Sequence, residues 1–141
     1  MLVRLMYCSR ATSAIDTEEL VGILRQSRTQ NPERGITGVL CLSRGIFIQV
    51  LEGGRASVNA LYNKIASDPR HAEVTLLAYE EIAERRFAGW SMGQVQTNRL
   101  NPAMLLKYSE TATLDPYAVS GEATAALFEE MMASAAIMGQ S

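Results

Sequence analysis

The chain has 141 residues, 48% of them hydrophobic and 20% charged, which suits one compact globular domain and is too short for two ordinary ones. Lysine and arginine total 13 against 15 for aspartate and glutamate, so the formal net charge is -2 and no basic field exists to grip nucleic acid or an anionic membrane. Disordered and collagen-like architectures are disfavoured by the same figures.

Leu2 to Cys8 is apolar at both parities, the composition of a central strand buried on both faces. Asp16, with Glu19 three residues on, forms a capping box for a helix whose Leu20, Ile23, Leu24 and Ser27 follow amphipathic spacing, and Pro32 is expected to stop it. Gly35 opens a second strand, Ile36 to Leu42, which the short turn Ser43-Arg44-Gly45 joins as a hairpin to Ile46 to Leu51. Gly53 and Gly54 are expected to break that strand. Val58, Leu61, Tyr62 and Ile65 mark a second helix closed by Asp68 and Pro69, followed by strands at Val74 to Ile82 and Trp90 to Val95. The order β-α-β-β-α-β-β predicts a ferredoxin-like α+β fold, a mixed five-stranded sheet with both helices on one face.

After Thr97 the pattern changes. Asn101 and Pro102 cap a short helix, and Ser120 a longer one ending near Met138 with an apolar stripe of Leu127, Phe128, Met131, Met132 and Ala135. Strand parity places Leu2, Met6, Cys8, Ile46, Ile48 and Val50 on the sheet face away from the first two helices, and leaving such side chains wet would create a sticky patch. The C-terminal helices are the available cover. The expected organisation is therefore a domain over residues 1–96 with a helical extension over 97–141.

Cys8 and Cys41 stand far apart in apolar runs, so neither a disulfide framework nor a CxxC site is offered, and a lone histidine, His71, excludes a multi-histidine metal centre. The N-terminus lacks a signal-peptide pattern, and no apolar run approaches the roughly 18 residues that span a bilayer. A soluble cytoplasmic protein without a metal is expected.

Gln49 is the anomaly among the strands. A polar amide between Phe47 and Leu51 costs about 1–3 kcal/mol if buried without partners, so it needs a hydrogen bond from protein or ligand, and Tyr7 could provide one. A pair that merely satisfies itself meets that need as well as a ligand does. Asn31, beside Pro32, has the place of a helix-end or turn residue. Yet Tyr7, Asn31 and Gln49 all sit where the two helices and the sheet could meet, and a planar ligand with amide-like edges, flanked by Ile23 and Ile65, would suit that crevice.

The stretches Tyr7-Cys8-Ser9, Asn31-x4-Ile36-Thr37-Gly38-x-Leu40, Phe47-x-Gln49-x-Leu51-Glu52-Gly53 and Trp90-x-Met92-Gly93, in that order, resemble the BLUF family of blue-light sensors using FAD. The resemblance covers roughly residues 1–96 and no comparable motif follows Thr97. It implies a non-covalently bound flavin between the two helices, with FAD expected and FMN or riboflavin as substitutes. Asn31 would bind the imide edge of the ring, Gln49 would bridge the flavin and Tyr7, and Ile23 and Ile65 would sandwich the ring, with Leu40 also in contact. Ser27, Arg28, Lys64, Asp68 and Arg70 are implied contacts to the ring, ribityl chain or phosphates, or else a solvated helix end. Gln30 stands where family members often have His or Asn, and His71 is read as a surface or packing residue. Trp90 and Met92 would share a face of the last strand near Gln49, with the one that faces the flavin in darkness left open.

The family mechanism implies that Tyr7 donates an electron and a proton through Gln49 under blue light, and that recombination leaves the Gln49 amide with different hydrogen bonds and the absorption slightly red-shifted. No substrate is consumed, so the chain is expected not to be an enzyme. Too few residues follow Thr97 for a cyclase or phosphodiesterase, so the expected output is a protein effector in trans or a homodimer, without nucleic acid or membrane. A flavin oxidoreductase is the first rival reading, weakened because the only glycine pair, Gly53-Gly54, lacks the dinucleotide spacing. A ligand-free interaction module on the same scaffold is the second.

Overall fold

The computed structural model describes residues 1–134 and 137–138. The elements run β1 (Leu2–Ala11), α1 (Thr17–Arg34), β2 (Thr37–Ser43), β3 (Ile46–Gly54), α2 (Arg55–Ala66), β4 (His71–Ile82), β5 (Gly93–Val95), α3 (Pro102–Tyr108), α4 (Gly121–Ala133) and β6 (Ile137–Met138). The sheet order is β4-β1-β3-β2-β5-β6, antiparallel except for the parallel β2–β5 pair. This is the expected ferredoxin-like α+β arrangement, with the two-residue β6 added at one edge.

The two faces of the sheet carry separate cores, as strand alternation requires. Val3, Leu5, Tyr7, Leu40, Phe47 and Leu51 pack with Leu24 of α1 and Val58 of α2. Met6, Cys8, Val39, Cys41, Ile48 and Val50 pack on the other side with Leu105 of α3 and Leu127, Phe128 and Met131 of α4. The C-terminal helices therefore cover the face that parity left apolar, with Leu2 half-buried at its rim. Both cysteines are free and buried, and burial pushes the Cys41 thiol up to about 12.

The three helix caps stand where the sequence puts them. Asp16, Asn101 and Ser120 accept from the backbone N–H groups of Glu19, Met104 and Ala123 at 2.7, 2.8 and 3.0 Å. Among the described residues, no helix is long and apolar enough to cross a membrane, and no group of His, Cys, Asp or Glu is placed to hold a metal.

Several boundaries differ from expectation. Helix α1 does not stop before Pro32 but continues to Arg34. A proline withholds its own N–H and crowds the carbonyl four residues back, and α1 carries that local cost two residues short of its end. Gly35, at φ 66°, makes the stop instead, with its N–H on the Pro32 carbonyl at 3.2 Å and that of Ile36 on the Asn31 carbonyl at 3.0 Å. Strand β3 runs through Gly53 and Gly54 because β1 pairs with both, and β4 begins at His71 because that residue pairs with Ala11. Helix α4 ends at Ala133 rather than near Met138, as residues 137–138 pair with β5; Ala135, assigned to its stripe, lies outside the described residues.

The fifth strand is also shorter than expected, Gly93–Val95 rather than Trp90–Val95. Residues 83–92 form an irregular segment that passes from one face of the sheet to the other. Trp90 stacks on Phe87, ring centroids 5.9 Å apart, and packs into the core beneath α3 and α4, whereas Met92 belongs to the core beneath α1 and α2. The expectation that Trp90 and Met92 share a face is therefore wrong. The two-residue periodicity it used holds only inside a strand, and neither residue is in one.

Candidate functional site

Tyr7 and Gln49 lie directly opposite each other in the β1–β3 ladder, so their side chains leave the sheet together toward α1 and α2. Both are buried, and the Tyr7 hydroxyl donates to Gln49 Oε1 at 2.5 Å. Removal from water, with the Tyr62 phenol nearby, raises the Tyr7 pKa far above its ordinary value and keeps it a protonated donor. Gln49 Nε2 reaches Met92 Sδ at 3.5 Å. A thioether is a weak acceptor, so an amide that carries two N–H bonds retains donor capacity in a buried place.

Asn31 is buried on the last turns of α1 and is more than a cap. Its Nδ2 donates to the Ser91 carbonyl at 2.9 Å, while Arg28 Nε, one turn earlier, donates to the Met92 carbonyl at 3.1 Å. Two α1 side chains thus hold the approach to β5, a task that sequence reading did not assign them.

Between α1 and α2 an open cleft reaches down to the sheet. Its walls include Ile23 and Ile65, its floor Leu40 and Phe47, and its inner end Tyr7, Asn31 and Gln49. Ser27, Gln30, Lys64, Asp68 and Arg70 line it as well. Arg28 is not among the lining residues, since its guanidinium is turned to the Met92 carbonyl, and neither are Trp90 and Met92. The Asp68 carboxylate takes the Arg70 guanidinium at 2.7 Å, and that hydrogen bonding holds its carboxyl down to about 2.

Reading from sequence missed His71, which joins Ser9 Oγ by a 2.7 Å hydrogen bond through Nδ1, lies against the Phe47 ring at 4.9 Å and lines the cleft. It packs, as expected, but inside the cleft. Burial lowers its pKa and favours a neutral imidazole there. The available signal was its place directly after Asp68 and Arg70.

The chemistry of the cleft fits a flat heteroaromatic with an imide edge. Two β-branched side chains from opposite helices offer its faces, and the amides of Asn31 and Gln49 offer donors and acceptors at one end. An acceptor atom in the cleft would also satisfy the Gln49 N–H capacity that the Met92 sulfur meets only weakly.

The fold and site thus combine a ferredoxin-like sheet with a buried tyrosine-glutamine pair at the foot of a cleft between two helices. The chain belongs to the BLUF family, sensors of blue light using FAD, whose model matches residues 2–93. It is 37% identical over 92 residues to the photoactivated adenylate cyclase subunit beta of Euglena longa, a match covering 64% of this chain and 11% of that one. Likewise it is 37% identical over 84 residues to the subunit alpha of Euglena gracilis, covering 60% and 8%. The chain thus spans about a tenth of these curated relatives.

Among solved structures, BlsA in its photo-activated state is similar with TM-score 0.84 and 32% identity, covering 94% of this chain and 95% of that one. BlrB, a BLUF protein in its dark state, is similar with TM-score 0.79 and 35% identity, covering 95% and 96%. Both likenesses extend beyond the residues that the family model matches, into α3 and α4.

Proposed function

We propose that this chain holds FAD non-covalently in the α1–α2 cleft and acts as a blue-light switch through Tyr7 and Gln49, not as an enzyme. The observation that carries the reading is the Gln49 amide, pinned between the Tyr7 hydroxyl and a weakly accepting sulfur at the foot of an imide-shaped cleft. FMN or riboflavin would keep the same ring contacts, and one similar structure, BlrP1 of Klebsiella pneumoniae, holds FMN.

In this reading Asn31 takes the imide edge, Ile23 and Ile65 cover the two ring faces, and Leu40 supports the ring from β2. Ser27, Gln30, Lys64, Asp68 and Arg70 line the part of the cleft where the ribityl chain and phosphates would run. Arg28 acts at one remove, by holding Met92. The flavin, when bound, supplies blue-light absorption and a transient acceptor for one electron and one proton. Tyr7 would be the donor of both, with its phenolic proton already hydrogen-bonded to Gln49 Oε1. Gln49 is left with its hydrogen bonds exchanged, by rotation or by tautomerisation.

Residues 1–96 are the proposed sensor and residues 97–141 its output segment. A change at Gln49 reaches Met92, then residues 83–92, and from there α4, to which the Arg86–Glu129 ion pair joins that segment. The receiver is a downstream protein effector in trans or a second copy of the chain, in the cytoplasm. One similar structure is a bacterial light-regulated adenylyl cyclase, 36% of which this chain covers.

Flavin titration tests the cofactor. The purified chain should be yellow, release its pigment on acid precipitation and resist rapid reduction by NADH. Asn31→Ala removes the amide proposed to bond the imide, and hydrogen bonds of this kind contribute about 0.5–1.5 kcal/mol each, so two of them correspond to roughly 5- to 150-fold in affinity. Undiminished affinity in the variant would remove Asn31 from the site. A colourless chain that takes up no flavin would favour the interaction module, and fast NADH-driven reduction the oxidoreductase.

A further inference from the structure

Glu52 stands three residues beyond Gln49 on β3 and is the fully buried charged side chain among the described residues. A buried carboxylate persists only with its oxygens satisfied. Here Oε2 accepts from Arg4 Nε at 2.8 Å and from the Arg86 backbone N–H at 3.1 Å, and Oε1 accepts from the Phe87 backbone N–H at 2.8 Å. Arg4, opposite Glu52 in the ladder, extends its other arm to Glu80 of β4 at 2.8 Å. A partner for Arg4 alone would not need complete burial or two backbone donors.

The backbone that Glu52 grips is the start of the stretch that changes faces. From Phe87 the chain passes Trp90, whose carbonyl accepts from the Gly38 N–H at 3.0 Å, and five residues after Phe87 it delivers Met92 to the other core. The far end is tied by Asn31 and Arg28. The near end is the one held by a fully buried carboxylate.

Resting on the photosensor reading, we propose that Glu52 is a positioning residue of the switch: by clamping the Arg86 and Phe87 backbone on the face beneath α3 and α4, it sets where residues 87–92 cross beside β2 and so holds Met92 Sδ against the Gln49 amide. In this proposal the clamp stabilises the Gln49 orientation described above, and that orientation is assigned to the dark protein.

Dark recovery of the light-shifted absorption, followed in the full chain loaded with FAD, tests this. Glu52→Gln keeps the shape but turns an N–H2 group against donors, either the Phe87 N–H at the Oε1 place or the Arg86 N–H and Arg4 Nε at the Oε2 place. It should recover at least threefold more slowly than wild type, while the size of the initial red shift is unchanged. In a Met92→Ala background the same substitution should alter the rate by less than twofold, because the clamp then has nothing to position. A purely structural role would slow recovery equally in both backgrounds, and that result overturns the proposal, as does recovery within threefold of wild type. If Glu52→Gln does not fold, Arg4→Gln, which removes the guanidinium that orients Oε2, carries the test with the same threshold. A wild-type chain that binds flavin but shows no red shift would instead overturn the photosensor reading itself.

Discussion

Gln49→Leu and Tyr7→Phe are each expected to abolish the light-induced red shift while keeping the fold and the yellow colour. Phenylalanine has no phenolic proton to transfer, and leucine approximates the volume of glutamine without an amide that can change partners. Neither change opens a cavity, but each leaves one buried partner of the 2.5 Å Tyr7–Gln49 bond unmet, at about 1–3 kcal/mol. That is a minor part of the roughly 5–15 kcal/mol by which domains are stable, so both variants should remain folded. Light-minus-dark spectra of the two proteins check the expectation, and a wild-type-like shift in either would remove that residue from the switch.

Gly38→Ala should lower stability strongly. An added Cβ would lie 2.0 Å from the Val50 carbonyl oxygen and 3.0 Å from its carbon, and both are backbone atoms that no side-chain rotation can move aside. Gly38 is paired with Leu51, between Gln49 and Glu52 on β3, and its N–H carries the bond to Trp90. Relief of the clash must therefore part β2 from β3 or release the segment that leads to Met92. Overpacking usually costs about 1–3 kcal/mol and here should reach the upper end or exceed it, lowering Tm by roughly 10 °C. Thermal unfolding measures this directly, and a Tm within about 2 °C of wild type would show that the ladder yields at little cost.

What could be read from the sequence was what local periodicity controls. Both parities of β1 are apolar because both of its faces are buried, and the same alternation assigned Ile48 and Val50 to the face that α4 covers. Gln49 and Tyr7 were legible as a buried pair because a polar amide inside an apolar strand has few ways to be satisfied. Glu52 shares the parity of Val50, and its burial was available to the same reasoning.

The rest depended on partners distant in sequence and on backbone groups, which side-chain pattern does not reveal. Asn31 was read as a helix end or a ligand, and its grip on the Ser91 carbonyl, 60 residues away, appears only once the chain is folded. His71 entered the cleft because β4 pairs with β1 three residues earlier than its apolar run suggests. Trp90 and Met92 parted because the irregular segment before β5 is set by the anchors at Glu52, Gly38, Asn31 and Arg28 rather than by strand alternation. Pro32 misled for a related reason, since α1 carries the local cost of a proline near its end and Gly35 governs the stop.

The central claim is that blue light exchanges the hydrogen bonds of Gln49 around a bound flavin and leaves the flavin chemically unchanged. The most direct measurement is the absorption spectrum of the flavin-loaded chain in darkness, after blue light, and during the return to darkness. The account predicts a small red shift of the flavin bands that reverses fully without added reductant. An unshifted spectrum, or one that bleaches and needs an oxidant to return, would contradict it.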